Sequence, residues 1–92
     1  MPCYFLHVRD GGHLTKDKEG EDFLNLAEAC AEALETAREM WAEALQEGSG
    51  RDYLDAIIII ADAKGRELTT ISFIEALPPR LHSKLAPAYA VN

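Results

Sequence analysis

The chain has 92 residues, 48% of them hydrophobic and 27% charged, which is the balance of one globular domain and not of a disordered segment. Nine Lys and Arg stand against 16 Asp and Glu, a net charge of −7. That acidic excess, without a basic stripe, excludes binding driven by nucleic-acid phosphates or by anionic membrane surfaces.

Residues 3–9 predict a strand, because Tyr4, Phe5, Leu6 and Val8 favour extended backbone. Asp10-Gly11-Gly12 supplies a turn, and His13-Leu14-Thr15-Lys16 predicts a short return strand, so residues 3–16 form a hairpin. Residues 17–22, Asp-Lys-Glu-Gly-Glu-Asp, read as a polar loop.

A long helix is predicted over residues 26–47. Asn25 suits the N-cap, Glu28 follows three residues later, and Gly48 ends the helix. Leu26, Cys30, Ala33, Leu34, Ala37, Met40, Trp41, Ala44 and Leu45 recur at helical spacing and form one apolar stripe. Cys30 and Trp41 on that stripe read as core residues, not as a reactive thiol or a ligand platform.

Residues 55–62 predict a strand around four consecutive isoleucines. Ala63-Lys64-Gly65-Arg66 is a hairpin turn, and Leu68–Phe73 is its partner strand. Pro78-Pro79 halts regular structure, and residues 78–92 follow as a tail.

The order β-β-α-β-β makes this an α+β domain over residues 1–77. We expect a four-stranded, mainly antiparallel sheet with one long helix on one face. The spatial order 2-1-3-4 is preferred, since it makes every neighbouring pair antiparallel. The isoleucine strand does not alternate: Ile57 and Ile59 point one way, Ile58 and Ile60 the other. One helix covers one face, so the other face needs a cover. The tail, through Leu77, Leu81, Leu85, Tyr89 and Val91, is expected to dock on the domain or on a dimer partner.

Met1-Pro2, Tyr4-Phe5, His7, Arg9-Asp10-Gly11, Glu19-Gly20 and a helix with Leu26-x-x-Ala29 and Ala33-Leu34 resemble a family of small bacterial proteins of unknown function. The resemblance spans roughly residues 1–77. Cys3 and Leu6 depart from it, standing where a basic and an aromatic residue are expected. It implies the fold class and a cytoplasmic setting, and no activity. A looser, fold-level likeness is to antitoxin partners of small bacterial RNase toxins, which also have a hairpin, an acidic loop and a helix opening on a Glu-Ala step, here Glu28-Ala29. The Pro-Asp-Leu-Pro-Gly segment of those proteins is absent.

Glu28, Glu32, Glu35, Glu39 and Glu43 line one ridge of the helix at i, i+3 and i+4 spacing, and only Arg38 is basic there. The ridge reads as a solvated face or as a docking surface for a basic protein. Asp17, Glu19, Glu21 and Glu28 fall at calcium-loop spacing, yet the position that needs glycine is Asp22. Cys3 and His7 stand about 13 Å apart at strand rise and cannot chelate one ion. His7 is the polar residue inside the first strand, and Asp10 is its nearest carboxylate in sequence; together they are the candidate polar site. No nucleophile elbow or phosphate loop is present.

The first ten residues lack the basic and long apolar regions of a signal peptide, and Ala56–Ala61 is far too short to cross a bilayer. The reading is a cytoplasmic, non-enzymatic interaction module, a homodimer without cofactor or metal. The alternatives are an antitoxin-like protein masking a basic partner, or a small enzyme or ligand binder at the first hairpin.

Overall fold

A computed structural model describes residues 2–48 and 53–77. Chain order is β1 (Cys3–Asp10), β2 (His13–Thr15), β3 (Glu21–Asp22), α1 (Leu26–Glu47), β4 (Ile57–Asp62), β5 (Glu67–Ser72) and α2 (Phe73–Ala76). The expected strands run β2-β1-β4-β5, and every pairing is antiparallel. The sheet has five strands where four were expected, because Glu21–Asp22 also pairs with β1, at Cys3 and Tyr4. The class is α+β, as the sequence predicts.

The first hairpin closes through a two-residue loop, since Asp10 pairs with His13. Gly11 has φ 62, the positive value that a two-residue hairpin loop with glycine first requires. The centre of the sheet is the β1–β4 pair, in register from Tyr4↔Asp62 to Arg9↔Ile57.

Helix α1 begins at Asn25, whose side chain accepts from the Glu28 N–H at 2.9 Å. The Glu28 carboxylate reaches back to the Leu24 N–H at 3.3 Å. One backbone donor that the helix leaves open, at Glu28, and the Leu24 N–H just before the cap are thereby satisfied. Gly48 ends the helix with φ 77, its N–H directed at Ala44 and Leu45 carbonyls.

The buried seam of α1 is Ala29, Ala33, Ala37, Trp41 and Ala44. The predicted stripe holds four of these five residues, Ala33, Ala37, Trp41 and Ala44, and leaves out Ala29. Leu26, Cys30, Leu34 and Met40 flank the seam half-buried, and Leu45 is 38% exposed. Small side chains along the middle let the helix lie close to the sheet, and the larger ones fill the wedges on either side.

Alternation along the strands sends Tyr4, Leu6, Val8, Ile58, Ile60 and Ile71 toward α1, where they join Phe23, Trp41 and Phe73 in one core. Burying side chains of the size of Ile58, Ile60 and Phe73 contributes roughly 1.5–3 kcal/mol each. Trp41 donates its indole N–H to the Phe73 carbonyl at 2.7 Å, fully buried. Tyr53 meets Trp41 edge-on and stacks on Phe73. Those contacts fix α2 against α1.

Helix α2 replaces the predicted end of the last strand. Ser72 caps it, accepting from the Ile74 N–H at 3.3 Å, while the Glu75 carboxylate accepts from the Ser72 N–H at 2.7 Å. Phe73, read as a strand residue, is therefore the first residue of a helix, and the Ser72-x-x-Glu75 box is the reason.

The opposite face of the sheet carries Phe5, His7, Ile57, Ile59 and Ala61. Ile59 is 2% exposed and Ala61 1%, while Phe5, His7 and Ile57 are half-buried. Leu77 is buried in the helix-side core. Leu81, Leu85, Tyr89 and Val91 lie outside the described residues.

Candidate functional site

Strand β1 pairs with β4 along one edge. Along its other edge it pairs with β2 at Val8–Asp10 and with β3 at Cys3–Tyr4. Between those two short partners the backbone from Phe5 to His7 has no strand beside it. Residues 16–20 fill the gap, and Asp17 is what holds them there.

The Asp17 carboxylate accepts three backbone N–H bonds. Leu6 of β1 donates to Oδ2 at 3.2 Å, and Glu19 and Gly20 donate to Oδ1 at 3.2 and 3.1 Å. The first of these stands where a neighbouring strand's carbonyl would accept, so a side chain continues the ladder. The Asp17 N–H in turn donates to Nδ1 of His7 at 3.0 Å. A ring nitrogen that accepts carries no proton, so the neutral ring holds its proton on Nε2. Partial burial pushes the Asp17 carboxyl up. The Gly20, Leu6 and Glu19 N–H groups more than offset this and hold it below its ordinary 3.8.

Gly20 lets the loop lie flat. Its φ is 70, and a Cβ there would stand 2.7 Å from Cys3 Sγ and under 3.0 Å from two carbons of the Phe5 ring. Only a residue without a side chain fits both the conformation and the space. The Phe5 ring stacks at 6.4 Å on His7, so glycine backbone, phenyl and imidazole form one layer over β1.

On the side of α1, the loop borders an open cleft of about 500 Å³. Lys16, Lys18, Glu19 and Glu21 line one wall, and Glu32 and Thr36 of α1 the other. The cleft carries charge of both signs.

The structure brings His7 to Asp17 and not to Asp10. Asp10 is paired with His13 at the end of the hairpin, and alternation places it on the opposite face from His7. The candidate pair of the sequence reading is thus not assembled, and its histidine serves the loop. All five ridge glutamates are exposed. They do not act alike: Glu28 is engaged as a cap, Glu35 pairs with Arg38 at 3.1 Å, and Glu32 faces the cleft. Among the described residues no ion pair involves Glu32, Glu39 or Glu43. Among those same residues no three His, Cys, Asp or Glu side chains are grouped to hold a metal ion, and no helix is long and apolar enough to cross a membrane.

The roles of Asp17 and Gly20 in holding the loop are what sequence reasoning missed, having met Asp17 only at calcium-loop spacing and Gly20 only within the family motif. Their signal was an aspartate three residues before a glycine in a polar loop, a local turn pattern that gives no hint of contact with β1.

The sequence profile of a family described as a domain of unknown function (DUF6894) matches residues 3–74. No curated protein and no solved structure matches the chain.

Proposed function

The chain belongs to the DUF6894 family, and from that premise we propose that it is a non-enzymatic protein-interaction module acting as a homodimer. The observation that carries this reading is the sheet's second face. Helix α1 packs on one face; on the other, Ile59 and Ala61 are already buried, while the apolar Phe5 and Ile57 keep part of their surface exposed. Phe5 and Ile57 are half-buried there and offer the centre of a contact. A second copy meeting the same face across a two-fold axis buries such a surface without any new chemistry. At the first hairpin, the candidate His7 is taken up in holding the Asp17 loop, which supports the same reading. The Asp17 carboxylate is engaged by three N–H donors, and Nδ1 of His7 by a fourth.

Light scattering on the full chain is the test. We expect a dimer at micromolar concentration that Ile57→Asp converts to a monomer while far-ultraviolet circular dichroism is unchanged. A wild-type chain that stays monomeric at high micromolar concentration overturns the reading.

A second reading has its own support in the exposed ridge. Residues 23–50 carry six Glu and one Arg, and Glu32, Glu39 and Glu43 are free of ion pairs among the described residues. Such a surface suits a basic protein partner, as in antitoxin-like masking. Co-purification of a basic protein that Glu32→Gln, Glu39→Gln and Glu43→Gln together release would favour it over the homodimer.

A further inference from the structure

We propose that residues 16–20 form a latch that the neutral His7 ring holds shut, and that protonation of this ring releases it. The geometry is specific about the nitrogen. His7 Nδ1 accepts the Asp17 N–H at 3.0 Å, and Nε2 carries the single ring proton. When the ring takes up a second proton, it arrives on Nδ1. The lone pair is consumed, and two N–H groups then face each other across the contact that was a hydrogen bond.

The loop has few other ties to β1. The Leu6 N–H to Asp17 Oδ2 bond is the one other hydrogen bond from residues 16–20 to β1 among the described residues. The remaining two bonds of the Asp17 carboxylate are to Glu19 and Gly20, inside the loop itself. Losing the His7 contact therefore removes one of the two bonds that fasten the loop to the sheet. Opening uncovers the β1 backbone between β2 and β3, a stretch of strand edge with a free donor at Leu6.

Among the described residues the charged group that acts on His7 is the Asp17 carboxylate; Arg9 lies two residues along the same face of β1, while Lys16 and Lys18 line the cleft on the α1 side. Strand β4 brings only Ile59 opposite, and Phe5 stacks on the ring. The Asp17 oxygens are already engaged by the Leu6, Glu19 and Gly20 N–H groups, and the N–H facing Nδ1 stays a donor, so the lost bond has no replacement in this arrangement.

Amide hydrogen exchange by NMR on the full 92-residue chain, between about pH 8 and pH 5 where histidine changes charge, tests the latch. After correction for intrinsic exchange, protection of the Leu6 amide should fall about tenfold relative to the Ile58 amide, the effect of one ordinary hydrogen bond. The Asp17 amide proton should shift with the midpoint of the His7 ring. In His7→Gln the side-chain carbonyl accepts the same N–H and gains no proton, so the fall should vanish, which also separates His7 from the other two histidines. The wild-type ring stands as a measurement independent of that variant. Its nitrogen shifts at pH 8 should show a bare Nδ1 and a protonated Nε2. The opposite tautomer, an unchanged Leu6 protection across the titration, or an equal fall in His7→Gln overturns the proposal.

Discussion

Two loops of this protein are each gathered around one aspartate. Asp62 closes the second hairpin: its Oδ1 accepts from the Lys64 and Arg66 N–H groups at 2.9 Å each, and its Oδ2 meets the Arg66 guanidinium at 3.4 Å. Every partner lies within four residues, and Gly65 turns the chain with φ 84 and open space around it. Asp17 uses the same chemistry at longer range. It holds Glu19 and Gly20 locally, reaches Leu6 eleven residues away, and offers its own N–H to His7. The Asp62 turn could be lifted onto another hairpin and would keep its shape. The Asp17 loop exists only beside β1, because half of what shapes it belongs to the strand.

The sharpest way to break this comparison is to put the same methyl group in each loop. Gly20→Ala meets both the positive φ and the Phe5 and Cys3 atoms. The expected loss is about 3 kcal/mol, from roughly 1–2 for the left-handed backbone and 1–3 for overpacking. Gly65→Ala meets the φ alone and should cost about 1 kcal/mol. Chemical denaturation of the two variants reads the difference directly. Equal losses would mean that the contact of Gly20 with Phe5 does not constrain the loop.

Removing the carboxylates comes next. Asp17→Ala strands three N–H donors, one of them on the central sheet, and should cost about 1–2 kcal/mol after discounting for partial exposure. Asp62→Ala should cost less, with its effect confined to amide exchange at Lys64 and Arg66. A larger loss from Asp62 would reverse the ranking.

Acid sharpens the same contrast. The folded Asp17 carboxyl titrates below 3.8, so its stabilisation is complete above that value and is lost as the pH falls below it. In a His7→Gln background, which lacks the ring's own titration, denaturation midpoints taken from about pH 6 to pH 2 should be level at first and then drop. Asp17→Asn should flatten part of that drop. Asp62 is also held low, chiefly by the Arg66 N–H, and contributes in the same direction.

The smallest effect belongs to a surface outside both loops. Glu32, Glu35 and Glu39 replaced together by Gln should leave stability level or raise it by a few tenths of a kcal/mol per relieved like-charge pair. The loss of the Glu35–Arg38 pair takes back a similar amount. A clear destabilisation would show that the ridge is part of the fold and not a solvated face.

The same distinction between local and distant partners separates what the sequence discloses from what it hides. Asn25 with Glu28, Gly48, the Gly11-Gly12 turn and Gly65 act on neighbours a few residues away, and each was legible. The Ser72-x-x-Glu75 box was legible too, but the apolar run from Leu68 to Phe73 read as continuous strand and concealed it. Strand β3 and the buried Phe23 depend on β1 lying alongside, with Phe23 donating its N–H to the Pro2 carbonyl and its ring facing Tyr4. Nothing within the polar segment 17–22 encodes that neighbour. The link from Asp17 to Leu6 and His7 was hidden for the same reason, and Asp10, nearer in sequence, was the natural but mistaken partner.

The β1–β4 pairing at the centre of the sheet sets the order of events in synthesis. Tyr4 cannot meet Asp62, nor Arg9 meet Ile57, until nearly the whole domain has been made. Strand β1 is made before the rest of the domain, and its two-residue loop brings β2 beside it with little chain to close. The strand then waits, with one edge open, while the loop and helix α1 are added. Bringing the two central strands together closes roughly fifty residues of chain, an entropic cost of about 3.5 kcal/mol. The nascent chain is thus most exposed to wrong pairing along Tyr4–Val8, its most apolar early segment, and it is relieved of that exposure only when the isoleucine strand emerges.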